Sequence, residues 1–314
     1  MIEVHRYTQD RKTEWDNFVR GAKNSTFLFL RGYMDYHSDR FRDCSLMFYD
    51  ERNRLVGLLP ANLAEDTLYS HRGLTYGGLV ISHRQTTTVV REMFESMRSF
   101  LIEEGIVRVV YKALPWIYCE QPSDEPLYAM HVVCKDYKVV EREVSSVIDL
   151  NNPLKWRESR KSGLRNAAKN GIVVEFSSDF AAFWTILRNN LGQKYGVKPV
   201  HSLDEMLLLR ERFPENILLA SATKDGVMVG GIVVYVTPRV VHTQYISATP
   251  EGKRMGAIDA VVEMLLRSFP AQRYLDFGKS TEAHSEMLNA DLLFQKEGFG
   301  ARALCYDTYE WRNE

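Results

Sequence analysis

The stretch Gln272-Arg273-Tyr274-Leu275-Asp276-Phe277-Gly278-Lys279-Ser280 (QRYLDFGKS) decides how the rest of the chain is read. Its centre, Asp276-Phe277-Gly278, is the tripeptide that holds a magnesium ion in protein kinases. A kinase also needs a glycine-rich phosphate loop, a Val-Ala-Ile-Lys strand and a His-Arg-Asp loop. None of these occurs in the chain. The tripeptide is therefore read as the end of a short apolar strand, RYLDFG, closed by a glycine turn.

Working outward, the 314 residues exceed one ordinary domain and suit two. Forty basic against forty-one acidic residues leave a net charge of -1, which argues against wholesale electrostatic binding to DNA or to a membrane surface. Cys44, Cys119, Cys134 and Cys305 lie far apart, with no CxxC pair and no histidine cluster. Free thiols in a reducing compartment and no metal site are expected. No run is long and apolar enough to span a bilayer, and MIEVHRYTQDRKTEW shows no basic region followed by an apolar one, so no leader is expected in it. The expectation is a cytoplasmic protein.

The order of elements repeats. In the first half IEVHRY reads as a strand and RKTEWDNFVRGAK as a helix whose Trp15, Phe18 and Val19 share one face. CSLMFYDERNRLVGLLPANLAE reads as a hairpin turned at Asp50–Asn53, GLTYGGLVI as a strand, TTTVVREMFESMRSFLIEEG as a helix and VRVVYKAL as a strand. In the second half IVVEFSS, two helices, a hairpin with the turn Lys224-Asp225-Gly226, the strand VVHTQYISA, the helix GAIDAVVEMLLRSF and RYLDFG follow the same order. Val56-Gly57 and Val229-Gly230 each open the return strand of their hairpin. The expectation is a mixed α/β chain with a duplicated domain, 1–150 and 151–314, and a basic connecting helix over 153–170.

Strand, two helices, antiparallel strands, helix, strand resembles the GNAT acyltransferase fold, here twice in tandem. From about Leu154 to Ala301 the sequence is similar to the Fem-type family of peptidyl and aminoacyl transferases. The residues that carry this likeness are Ser159-Arg160-Lys161 with Arg165 and Ala167, Tyr274-Leu275-Asp276-Phe277-Gly278, and Phe294-Gln295-Lys296 with Phe299-Gly300. One residue is inserted between Phe294 and Lys296 relative to the family's Phe-Lys. No segment sustains the heptads of the coiled-coil arm carried by family members that borrow aminoacyl-tRNA.

The resemblance implies transfer of an acyl or aminoacyl group to an amine. Such chemistry needs a way to deprotonate the amine, donors for a tetrahedral oxyanion and a grip on the donor's phosphates. In acetyltransferases of this fold the grip is a glycine-rich turn at a helix N-terminus. The matching place is Thr249–Ile258, with Gly252, Lys253, Arg254, Met255, Gly256 and Ala257 as coenzyme contacts; Ile258 stands where a small residue is expected. A plain strand-to-helix turn with solvated cations is the other reading. Ser82–Thr86, its counterpart in the first half, has no glycine, so no coenzyme is expected there.

Lys161 and Arg165, four apart on a helix, read as a clamp for a substrate phosphate or carboxylate, or else as a solvated basic face. Asp276 is a candidate base or its orienter, and Tyr245 a candidate acid toward the leaving group; each has a structural alternative as turn cap or core aromatic. Tyr76, Trp116 and Lys296 complete the expected substrate-binding set, while His201 and His284 read as surface histidines. Acetyl-CoA or another acyl-CoA is the donor favoured by the absent arm and the half-matched turn, with aminoacyl-tRNA as the alternative. The acceptor is a small-molecule, peptide or cell-wall-precursor amine. A non-catalytic pair of GNAT-like domains serving as a binding module is the reading from another class.

Overall fold

The computed structural model describes residues 2–282 and 286–313, without the side chains of 194 and 195. His284 lies outside the described residues. The chain divides into two compact units, 1–143 with 305–314, and 144–304. The sequence reading placed the divide at 150/151; the division by packing falls inside a strand and returns the C-terminal segment to the first unit.

The first unit contains β1 (Glu3–Arg6), α1 (Lys12–Arg20), α2 (Arg31–Met34), β2 (Arg42–Asp43), β3 (Leu46–Tyr49), β4 (Leu55–Leu59), β5 (Asn62–Ala64) and β6 (Thr67–Tyr69). It continues with β7 (Val80–Ile81), α3 (Thr87–Glu103), β8 (Arg108–Lys112), α4 (Glu125–Val133) and the start of β9 (Lys138–Asp149). One sheet runs β1-β3-β4-β7, all antiparallel. Trp15 and Val19 of α1 are buried and Phe18 half-buried, as their helical spacing predicts.

The stretch GLTYGGLVI forms a strand only at Val80–Ile81. Its glycines explain the correction: a Cβ on Gly77 would lie 1.7 Å from the Ser70 carbonyl oxygen, and Gly78 has φ 88°. Backbone held that close to backbone follows its neighbour rather than a pleat. The β5–β6 hairpin, α4 and β9 lack a clean period in the sequence and were not anticipated.

His71 of this unit is 3% exposed and stacks on His37 with ring centroids 5.1 Å apart. Burial first, then the charges of His37, Arg31 and Lys112, push its pKa down to about 3. The unfolded chain takes up this proton near pH 6.5 and the folded one only near 3, so the stability is present above pH 6.5 and lost as pH falls. On the order of 5 kcal/mol disappears across that window. Denaturant midpoints measured between pH 7 and 3.5 should fall, and fall less in His71→Asn, because Asn tolerates the local φ of 71°.

The second unit contains α5 (Glu158–Lys169), β10 (Val173–Ser177), α6 (Phe180–Tyr195), α7 (Leu203–Arg212), β11 (Ile217–Lys224), β12 (Val227–Val236) and β13 (Val240–Ala248). It ends with α8 (Pro250–Met255), α9 (Ala257–Ser268), β14 (Tyr274–Lys279), β15 (Thr281–Glu282), β16 (Met287–Leu288), α10 (Ala290–Gly298) and the start of β17 (Arg302–Arg312). Its sheet runs β10-β11-β12-β13-β14-β9. Asp225 and Gly226, at φ 51° and 77°, make the tight turn that the sequence signals between β11 and β12. Ser202 and Glu205 cap α7 reciprocally, and Asp179 caps α6 by accepting from the Ala182 N–H.

One rung of this sheet sets two polar side chains next to each other. β13 and β14 run parallel and pair only through Val240–Tyr274, Val241–Leu275 and His242–Asp276. Beyond it β13 bulges against β12 and continues to Ala248, while β14 turns at Gly278, φ 72°. Beneath, α9 packs Ala257, Val261, Val262 and Leu265 against Val241, Leu275 and Phe277. The two strands thus part at a rung whose inner face is apolar and whose outer face carries His242 and Asp276.

Candidate functional site

Asp276 is fully buried. One carboxylate oxygen accepts from the Gly278 N–H at 2.9 Å and from the Ser145 hydroxyl; the other lies 2.9 Å from His242 Nδ1. Three donors converging on an acceptor-only group fix its position without rotamer freedom. A carboxylate only accepts, so the Nδ1 that faces it carries a ring proton. Sequence reasoning singled out Asp276 and missed His242. The parallel register was the missing signal, since it alone sets the third residue of β13 beside the third of β14.

Lys296 of α10 is 5% exposed. Its Nζ donates to the carbonyls of Gly278 and Lys279, both at 2.8 Å, and to the Ser280 hydroxyl at 2.9 Å. Burial pushes its pKa down to about 8, partly offset by the Asp276 charge. Three acceptors match the three hydrogens of an ammonium, so the inserted Gln295 has not displaced Lys296 from the strand end. It clamps the turn that follows Asp276.

Tyr245 serves a different place. Its hydroxyl accepts from the His201 N–H at 3.2 Å and is hydrogen-bonded to His201 Nδ1 at 2.7 Å, and its ring meets Trp184 edge-on at 5.3 Å. Burial pushes the phenol up to about 12, which makes it a poor acid. His201, expected at the surface, is 5% exposed and belongs to this cluster.

The turn 249–258 is not an open phosphate cradle. It folds into the short α8, whose Thr249 cap takes the Gly252 N–H at 3.0 Å, and the first turn of α9 is buried from Gly256 to Ala260. Gly252 and Gly256 serve close packing instead: a Cβ on Gly252 would lie 2.2 Å from the Val229 oxygen, and one on Gly256 2.1 Å from the Gly163 oxygen. Helix α5 thus lies across the N-terminus of α9, where Asp259, 6% exposed, meets Arg160 at 3.2 Å. A carboxylate already complements that helix end. Met255 and Ala257 are buried, leaving only Lys253 and Arg254 of the expected coenzyme contacts exposed.

Arg165 and Lys169 line a shallow groove of about 410 Å³ with Arg254 and the backbone at Gly163; Lys161 is exposed but does not line it. Arg165 also pairs with Glu158 at 2.5 Å. A second groove, about 560 Å³, runs along Ile246–Ala248 of β13 between α6 and α8, with Asn190, Lys253 and Gln295 on its walls. In the first unit Tyr76 is a core residue, 3% exposed, bonded to Thr26 and packed on Tyr118, whereas Trp116 is 57% exposed. Among the described residues no cluster of three or more metal-ligating side chains occurs, and no helix is long and apolar enough to cross a membrane.

No family model and no curated protein matches the chain. Solved structures do. FemX superposes with a TM-score of 0.69 at 10% identity over 99% of this chain and 97% of its own. L-PGS from Bacillus licheniformis gives 0.61 at 12% identity over 99% and 93%. A tandem GNAT protein from the clavulanic acid biosynthesis pathway gives 0.52 at 12% over 100% and 99%. These likenesses show the fold: two GNAT-like domains in tandem, as the sequence implied.

Proposed function

We propose that the second unit transfers an aminoacyl group from an activated ester to an amine, with the His242–Asp276 pair taking the proton. The buried pair at the rung where β13 and β14 part is the observation that carries this reading. The amine nitrogen forms a bond to the donor carbonyl carbon, the carbon–oxygen bond of the ester breaks, and the proton lost by the amine passes through His242 Nε2 to the leaving oxygen. Asp276 holds the imidazole and stabilises its charged form, and Lys296 holds the strand end on which Asp276 sits.

For the donor, two features favour aminoacyl-tRNA over acyl-CoA. The helix end that grips a coenzyme's phosphates in this fold is buried beneath α5. The nearest exposed cations, Arg165, Lys169 and Arg254, line a shallow surface groove suited to a nucleic-acid backbone. FemX and L-PGS share the fold, and the Fem-type family that the sequence resembles is one of peptidyl and aminoacyl transferases.

The test supplies the protein with bulk tRNA charged with labelled amino acids, or with labelled acetyl-CoA, each with small amine acceptors, and follows the label. Transfer from charged tRNA supports the proposal, and transfer from acetyl-CoA alone moves the donor to a thioester. If neither donor is bound or consumed, the reading as a transferase fails and a binding module stands. Arg165→Glu with Lys169→Glu should weaken tRNA retention about tenfold or more and lower the salt slope by about 2.

A further inference from the structure

On the other side of α6 the second unit has a cleft of about 830 Å³ that the transfer reaction does not use. Trp184 and Arg188 of α6 form one wall; Val197, Lys198, Val200 and His201, leading into α7, form the other. Three features set it apart from ordinary surface relief.

Val197 and Val200 are 52% and 77% exposed, apolar surface kept in water at the rim of a concavity. Arg188 and Lys198 are exposed and have no ion-pair partner among the described residues, while Glu205, the acidic group in the wall, is engaged in capping α7. The indole N–H of Trp184, in a side chain 2% exposed, has no acceptor. An unmet buried donor costs about 1–3 kcal/mol, an expense that a bound oxygen atom would relieve.

We infer that this cleft binds an apolar-bodied anion: a molecule whose hydrocarbon part lies on Val197 and Val200 and whose carboxylate or phosphate is held by Arg188 and Lys198. Apolar walls with a few convergent polar groups are the common make-up of small-molecule sites. Electrostatics chooses the sign of the ligand, since two free cations face one carboxylate that already has partners. The wall at His201 is tied to the sheet through Tyr245, so it is held by the strand β13 rather than by the 196–202 segment alone.

The experiment is displacement of anilinonaphthalene sulfonate fluorescence from the whole protein, without donor or acceptor, by decanoate, decyl phosphate or decyltrimethylammonium below their micelle concentrations. The anions should displace the dye and the cation should not. Displacement by decanoate alone assigns a carboxylate, by decyl phosphate alone a phosphate, and by both a site that reads charge and chain only. Arg188→Glu and Lys198→Glu, at exposed positions, should each weaken the anion about tenfold. Trp184→Phe, which keeps a ring and deletes the donor, should weaken it several-fold. Equal displacement by the cation, unchanged affinity in both charge reversals, or no displacement at millimolar anion overturns the inference. Because the readout is binding, its failure leaves the transfer reaction untouched, and the reverse.

Discussion

His242→Gln should lower the rate of aminoacyl transfer about 10²–10⁴-fold, the contribution of a positioned acid or base, while the protein melts within a few degrees of the parent. Gln keeps a donor for Asp276, so the buried carboxylate is not abandoned, but it cannot take a proton. Asp276→Asn should cost a similar factor by another route. The amide oxygen can still accept from Gly278 and Ser145, yet its NH2 would face His242 and force the ring into the opposite tautomer. The two changes act on one unit, so the double variant should be little worse than either alone. A His242→Gln enzyme with the parental rate would remove this pair from the mechanism.

Gly256→Ala should destabilise the second unit by about 2–5 kcal/mol. The residue sits at φ 79°, where an L side chain costs about 1–2 kcal/mol, and its Cβ would lie 2.1 Å from the Gly163 oxygen, so α5 must shift. A fall in melting temperature of about 5–15 °C is expected by calorimetry. Gly192→Ala is the contrast: it lies within α6 with nothing within 4 Å of its Cβ, and should be neutral or stabilising by about 0.5–1 kcal/mol. A Gly256→Ala protein as stable as the parent would mean that α5 does not cover α9, and would reopen the turn as a place for coenzyme phosphates.

These two predictions concern residues that the sequence showed with unequal clarity. Asp276 and Lys296 stood out because the motifs around them, Tyr-x-Asp-Phe-Gly and the Phe-Gln-Lys segment, are local in the chain. His242 did not, since a histidine in VVHTQYISA has no neighbour in sequence that marks it. Gly256 was legible as a glycine that mattered and misread as to why. A glycine at a helix start serves a ligand's approach or a neighbouring helix's approach equally well, and only the position of Gly163 distinguishes them. Tyr245 and His201 were separated by forty-three residues of sequence and became one hydrogen-bonded cluster in space.

By itself the sequence determined the mixed α/β class, the duplicated order of elements, the hairpin at Asp225-Gly226, the inner face of α1 and the apolar strand that holds Asp276. Each is set by the period of apolar residues or by turn chemistry within a few positions. The tertiary structure alone decided the partner of Asp276, the closing of the α9 N-terminus by α5 and the pairing of Tyr245 with His201. It also decided the return of the C-terminal strand to the first unit. All four depend on which distant segments meet and in what register. That choice is made by packing summed over a whole core, and no single segment of the chain carries it.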